Sequence, residues 1–219
     1  MPPAEKKFYE ADWMNANILK GHGPLCSLYA AHDGTKEGYQ PGDFRSEGDT
    51  PAFLHNIPNG LRSMESPNWG GWGGRYVRVR DNTWLDPVEE SGYQYPDGRW
   101  YTRSAWGRQR LRKNIPNDDA LVAYLKPIWR WTKALQNDFA SRADWCVATF
   151  ENANHPPLVV LAHTADLEVR PGSEVRLSAK GTSDPDFDTL NYHWWQYEEA
   201  DSYTGVVSIH GADKQQASL

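Results

Sequence analysis

Two carboxylates stand one residue apart in Ser46-Glu47-Gly48-Asp49-Thr50-Pro51. Carboxylate oxygens are the donors that hard cations such as Ca²⁺ take, so Glu47 and Asp49 are two candidate ligands. The same spacing has a structural reading. Pro51 followed by Ala52-Phe53-Leu54 suits a helix start, where Asp49 or Thr50 would cap the first turn. A metal or substrate-hydroxyl site and a plain N-cap are both open. His22 lies between Gly21 and Gly23. It is either an exposed imidazole on a tight turn or a ring presented to a pocket. Trp69-Gly70-Gly71-Trp72-Gly73-Gly74-Arg75-Tyr76 holds too many glycines for a helix. It predicts a shaped loop whose rings pack on one another or offer flat apolar faces to a sugar. No Gly-Lys-Ser/Thr follows, so it is not a phosphate loop.

Asp184, Asp186 and Asp188 alternate further on. An EF-hand loop would need glycine at its sixth position and glutamate at its twelfth. Thr189 and Trp195 stand there. The run is a solvated turn or a weak Ca²⁺ loop. Cys26 and Cys146 form no Cys-x-x-Cys pair, which excludes a cysteine zinc site. Two buried free thiols and a long-range disulfide are both compatible with that spacing.

The elements that must position these groups follow from periodicity. Phe8, Ala11, Trp13, Ile18 and Leu19 predict a short amphipathic helix over 5–20, broken at Gly21-His22-Gly23-Pro24. Asn117 is a cap for a helix with Asp118 and Asp119 in its first turn, and Pro127 starts or kinks a second one. Ile128, Trp131, Leu135, Phe139, Arg142, Cys146 and Phe150 recur at three and four, predicting one core-facing stripe. On those helices Asn137, Asp138 and Asp144 read as surface or ion-pair residues. Asn154-His155-Pro156-Pro157 is a stiff break and the best domain boundary. Beyond it, 158–161, 166–169, 174–179 and 190–197 are short β-like runs at sandwich spacing. The expected organisation is an α/β domain over 1–154 followed by an all-β domain over 155–219.

Composition narrows the function classes. The chain has 219 residues and a net charge of −6, with 11 Trp, 11 Tyr and 18 Gly. That length buries a real core. The acidic balance argues against a nucleic-acid partner, although Lys and Arg are interleaved with aromatics over 75–113. No apolar run spans a membrane. Residues 1–7 carry no apolar signal-like stretch. The aromatic excess suits a sugar platform, and suits a core as well.

Several motifs occur together in order: Ser46–Leu54, Ile57-Pro58-Asn59-Gly60-Leu61, Trp69–Tyr76, Asn137–Cys146, Ala153–Pro157, and Gly181–Asp186 through Trp194-Trp195. The set resembles a bacterial family of nucleoside-hydrolase-like, cellulose-binding proteins with an immunoglobulin-like C-terminal domain. The resemblance implies a later part of a doubly wound hydrolase-like domain over 1–154 and the start of an immunoglobulin-like sandwich over 155–219. On that reading the chain is an internal piece of a secreted or periplasmic protein. It also implies a Ca²⁺ that orients sugar hydroxyls and water, with Asp49 at the position of a late calcium ligand and Glu47 beside it. Thr50, His22, Asn59, Trp69, Trp72 and Arg75 are the implied substrate contacts, for a carbohydrate or nucleoside-like small molecule. Three functions stay open: polysaccharide binding, a metal-dependent hydrolase of N-glycosidic or related sugar bonds, and a cell-surface interaction module. For the hydrolase, the resemblance implies activity in the whole protein and none in this chain alone.

Overall fold

The computed structural model describes residues 1–45, 51–85, 87 and 118–219. The chain divides into two compact units, Met1–Ala148 and Thr149–Leu219.

The N-terminal unit opens with short helical pieces rather than one helix. α1 (Pro3–Lys6) runs into a tight turn at Lys7–Tyr9, and α2 (Ala11–Met14) runs into a wider π turn at Asn15–Leu19. The break is at Glu10, whose extended backbone (φ −82°, ψ 152°) stops the first run. Phe8, Met14 and Ile18 are buried. The predicted stop at Gly21–Pro24 is also a start, because α3 (Gly23–Ser27) begins there with Pro24 in its first turn. Proline suits that place, since its missing N–H would have no partner anyway. A helical turn at Pro51–His55 begins at Pro51, as the sequence predicts. Its capping residues lie outside the described residues.

β1 (Val77–Arg80) and β2 (Thr83–Leu85) pair antiparallel, with a register shift between Arg78 and Arg80. α4 (Asp118–Tyr124), α5 (Lys126–Trp129) and α6 (Thr132–Trp145) follow, with Pro127 in the first turn of α5. The core gathers Met14, Ile18, Cys26 and Ala143, with Trp13, Leu19, Tyr29, Phe44, Phe139 and Ala140 packed around them.

The buried stripe of α6 differs from the predicted one. Phe139 does pack on the core, but Ile128 and Cys146 are exposed, and Thr132, Gln136 and Ala143 are buried instead. Two polar residues inside need partners, and both have them. Gln136 Nε2 donates to the Phe8 carbonyl at 3.1 Å, and the Thr132 hydroxyl lies 3.1 Å from the Tyr9 hydroxyl. Burial pushes the Tyr9 phenol up, which keeps it protonated for that bond. Asp138 pairs with Arg142 at 2.7 Å on the outer side, in keeping with its surface reading.

The described residues of this unit form no parallel sheet, so the doubly wound pattern is not what they show; they are mostly helix and loop. The C-terminal unit likewise departs from the expected sandwich. β3 (Arg176–Ser178) and β4 (Gln216–Ser218) make one two-stranded antiparallel sheet, with single bridges at Leu158–Ser183 and His210–Ser218. Of the four β-like runs, only 174–179 contains a strand, because the others find no ladder partner among the described residues. No helix of the described residues is long and apolar enough to cross a membrane.

The alternating aspartates form a self-bonded turn. Asp184 Oδ1 accepts the N–H groups of Asp186 and Asp188 at 2.8 and 3.3 Å. Asp186 accepts the His155 backbone N–H at 2.5 Å, and its other oxygen is 3.0 Å from His155 Nδ1. These bonds from His155 hold the Asp186 carboxyl below the usual carboxylate range. A lowered folded pKa stabilises the fold above the unfolded value of about 3.9, and that stability is lost as pH falls through the folded value. The resistance of the C-terminal unit to urea should therefore fall on acidification below about pH 4. Asp186→Asn should be less stable than wild type near neutrality, with the difference closing in acid. A difference that stays constant with pH would contradict this linkage.

Candidate functional site

The candidate ligand contacts that fall on described residues lie along 55–76, apart from His22. Ser63 closes this stretch onto itself, its Oγ donating to the His55 carbonyl at 2.7 Å. The closed segment carries Asn59, whose Oδ1 accepts the Leu61 N–H at 3.1 Å. Asn59 Nδ2 is buried with no hydrogen-bond partner. A buried donor without a partner costs about 1–3 kcal/mol, so it is a group that a ligand oxygen would satisfy.

The glycine loop folds against this segment. Gly71 and Gly74 exchange backbone hydrogen bonds at 2.9 and 3.1 Å, which pins the hairpin-like turn that carries Trp72. Gly71 is required there by space. A Cβ on it would sit 2.8 Å from Ser63 Oγ and 3.2 Å from His55 Nδ1. Arg75 is buried, and its guanidinium donates to the Asn68 carbonyl at 2.7 Å and to Asn68 Oδ1 at 3.0 Å. Those bonds tie the two ends of the loop together, so Arg75 shapes the site from inside. Arg62 stacks over Trp69, with 4.9 Å from its guanidinium carbon to the ring centroid, and bonds Glu65. Trp69 and Trp72 are both half-buried. The arrangement is a rigid loop with two indoles at its surface and amide chemistry beside them.

His55 is a site residue that sequence reasoning missed. Its ring lies 5.6 Å from the Tyr76 ring, and burial pushes its imidazole down, so it is neutral at physiological pH. A neutral ring offers one donor and one acceptor. Little in the sequence marks it, because burial of a histidine at the end of a helical turn has no local pattern.

His22 is elsewhere. Its Nδ1 lies 3.0 Å from Asp144 Oδ1 and its Nε2 3.4 Å from the Ala16 carbonyl. The Asp144 contact lacks hydrogen-bond geometry. No bond or ring contact links it to the 55–76 stretch among the described residues. Glu47, Asp49 and Thr50 lie outside the described residues. Among the described residues, no group of three or more His, Cys, Asp or Glu side chains is arranged to hold a metal ion.

Comparison with known proteins gives this geometry a context. Residues 1–76 match the family model described as cellulose-binding Sde182, nucleoside hydrolase-like domain. Residues 174–219 match the model described as cellulose-binding protein Sde0182, C-terminal domain. No curated protein matches. Among solved structures, a nucleoside hydrolase-related hypothetical protein from Saccharophagus degradans, associated with carbohydrate metabolism, is 31% identical over 95% of this chain, with a TM-score of 0.64. The chain spans 45% of that protein's length. The glycine loop and its closed partner segment fall inside the first matched stretch. Two separate stretches of the chain thus match, in chain order, the nucleoside hydrolase-like domain and the C-terminal domain of the Sde182 cellulose-binding family.

Proposed function

We propose that this chain binds polysaccharide, of the cellulose-like class, through the 55–76 segment in a secreted or periplasmic protein. The observation that carries the reading is the pinned loop with half-buried Trp69 and Trp72, packed through Gly71 on the Ser63–His55 closure of the segment that also carries the unpartnered Asn59 amide. Indole faces pack on the apolar faces of sugar rings, and an amide donor reads hydroxyls. Holding the rings in place before binding reduces the ordering cost that would offset these contacts. The cellulose-binding name of the matched family points the same way.

Glu47 and Asp49 would supply the metal chemistry of this reading, with Thr50 beside them as a substrate contact. Carboxylate oxygens are of the kind Ca²⁺ prefers, and two side chains leave most of a shell of six to eight to sugar hydroxyls, water or further ligands. Bound there, Ca²⁺ would orient a diol. A second reading is a metal-dependent hydrolase of N-glycosidic or related sugar bonds, favoured by the nucleoside hydrolase-like name of residues 1–76. A cell-surface interaction role for the C-terminal unit is the third; it predicts a protein partner and no carbohydrate binding.

Calorimetric titration with soluble cello-oligosaccharides, with and without Ca²⁺, tests the proposal. Trp72→Ala should weaken binding about tenfold, equivalent to roughly 1.4 kcal/mol and within reach of one aromatic contact. Asp49→Ala should remove any dependence on Ca²⁺ while leaving the Trp72 contribution in place. Full affinity in Trp72→Ala and in Trp69→Ala would remove the loop from the site. Turnover of a nucleoside that Asp49→Asn abolishes would favour the hydrolase.

A further inference from the structure

α3 and the end of α6 are brought together by contacts that the proposed site does not use. His22 lies 3.0 Å from Asp144. A Cβ on Gly23 would come within 2.9 Å of Val147 Cγ1 and 4.0 Å of the Cys146 carbonyl oxygen, and Gly23 also has φ +81°. Cys26 shares the core cluster with Ala143, three residues before Cys146. This close approach of α3 to the end of α6 brings the chain's two cysteines into one neighbourhood, close enough that the Cys146 thiol helps to push the Cys26 thiol up. Both are free. Cys146 donates its own S–H to the Arg142 carbonyl at 3.3 Å. The two differ in access: Cys26 is buried and Cys146 is exposed.

We propose that Cys26 and Cys146 are a redox-responsive thiol pair, closing to an intramolecular disulfide by exchange with a small-molecule disulfide of the glutathione type. The chemistry balances in two exchanges. Exposed Cys146 loses its proton to solvent, and its thiolate attacks one sulfur of the oxidant. The oxidant's S–S bond breaks, and the leaving thiolate takes up a proton. Cys26 then loses its proton and attacks the Cys146 sulfur of the mixed disulfide, expelling the second thiolate, which is protonated in turn. Two protein thiols are oxidised to one disulfide, and one small disulfide is reduced to two thiols.

The order of events follows from the surroundings. Cys26 is shielded from the reagent and packed in the core. Burial, then the neighbouring Cys146 thiol, pushes its thiol up, so little of it is thiolate at neutral pH. Cys146 therefore attacks the oxidant first, and the mixed disulfide on Cys146 precedes closure. The closed bond would join the segment after the π turn to the end of α6, far along the chain. Closing so long a loop restricts the unfolded chain, and the fold gains thermal stability.

The whole chain, incubated with glutathione at graded ratios of oxidised to reduced form and then alkylated, gives the test. Digestion without reduction should yield the Cys26 peptide joined to the Cys146 peptide, lighter by two hydrogen atoms than the pair of thiol peptides. The oxidised monomer should melt about 5–15 °C above the reduced one. A glutathione adduct that persists on Cys146 while Cys26 is still alkylated in denaturant would overturn the proposal. So would cross-linking confined to dimers through Cys146. Cys26→Ser should keep the adduct on Cys146 and lose the oxidative rise in melting temperature. Persistence of that rise in the variant would show that another group causes it. The peptide map of the unmodified sequence decides the matter even where the variant folds poorly.

Discussion

Ile18→Ala should lower the unfolding free energy of the N-terminal unit by about 2–5 kcal/mol, the range for removing a large aliphatic side chain from a closed core. Ile18 is 0% exposed, on the π turn that continues α2, and it packs with Met14, Cys26 and Ala143. The turn cannot easily collapse into the space left behind. Asn15 on the same turn bonds back to the Ala11 carbonyl at 2.8 Å, and Gly42 packs on its amide. Leu28, just past α3, is the useful contrast at 80% exposed. Leu28→Ala should stay within about 0.5 kcal/mol of wild type. Denaturant unfolding followed by tryptophan fluorescence reads both. Equal midpoint shifts for the two variants would mean that the Met14–Ile18 cluster is not the stabilising core of this unit.

The same cluster shows what the sequence could and could not tell. Phe8 and Ile18 fell on the predicted apolar face because their spacing is local. So did the helix starts at Pro51 and Pro127, which depend on one residue's fixed φ and absent N–H. The stripe of α6 was legible only in part. Thr132 and Gln136 are polar, and nothing nearby in the chain announces that Tyr9 and Phe8 supply their hydrogen bonds. Burial of such residues is decided by a tertiary partner, which periodicity cannot see. Three of the four β-like runs, 158–161, 166–169 and 190–197, formed no strand for a related reason. Apolar alternation marks a segment able to join a sheet, but a strand exists only where a ladder partner is present, as β4 is for β3. At the candidate site the glycine loop was legible from composition. The commitment of Arg75 to Asn68 was not, since an arginine's partner is chosen by packing. Asp49 and Glu47 rest on sequence alone.

Gly71→Ala should nearly abolish carbohydrate binding while costing the fold only about 1–3 kcal/mol, the usual penalty for overfilling a packed site. The single added carbon has nowhere to go. It would stand 2.8 Å from Ser63 Oγ and 3.1 Å from Ser63 Cβ. Ser63 is 6% exposed and its hydroxyl is held by the His55 carbonyl, so it cannot swing away without giving up that bond in a closed space. Relief must come from the other side, by moving Gly71 and with it the backbone pair to Gly74. That pair fixes where Trp72 stands, and a ring displaced by about 1 Å loses most of its close contacts with a flat ligand. Gly60→Ala separates this steric effect from backbone strain. Gly60 has φ +81°, but a Cβ there meets nothing within 4 Å. It should lower stability to a similar degree through its left-handed backbone and leave the Trp69–Arg75 loop where it is. Titration with cello-oligosaccharides and thermal melts of the two variants, taken together, decide the point. Binding lost in Gly71→Ala and kept in Gly60→Ala places recognition on the loop geometry, whereas equal affinities in both would show that the ligand is held by other residues.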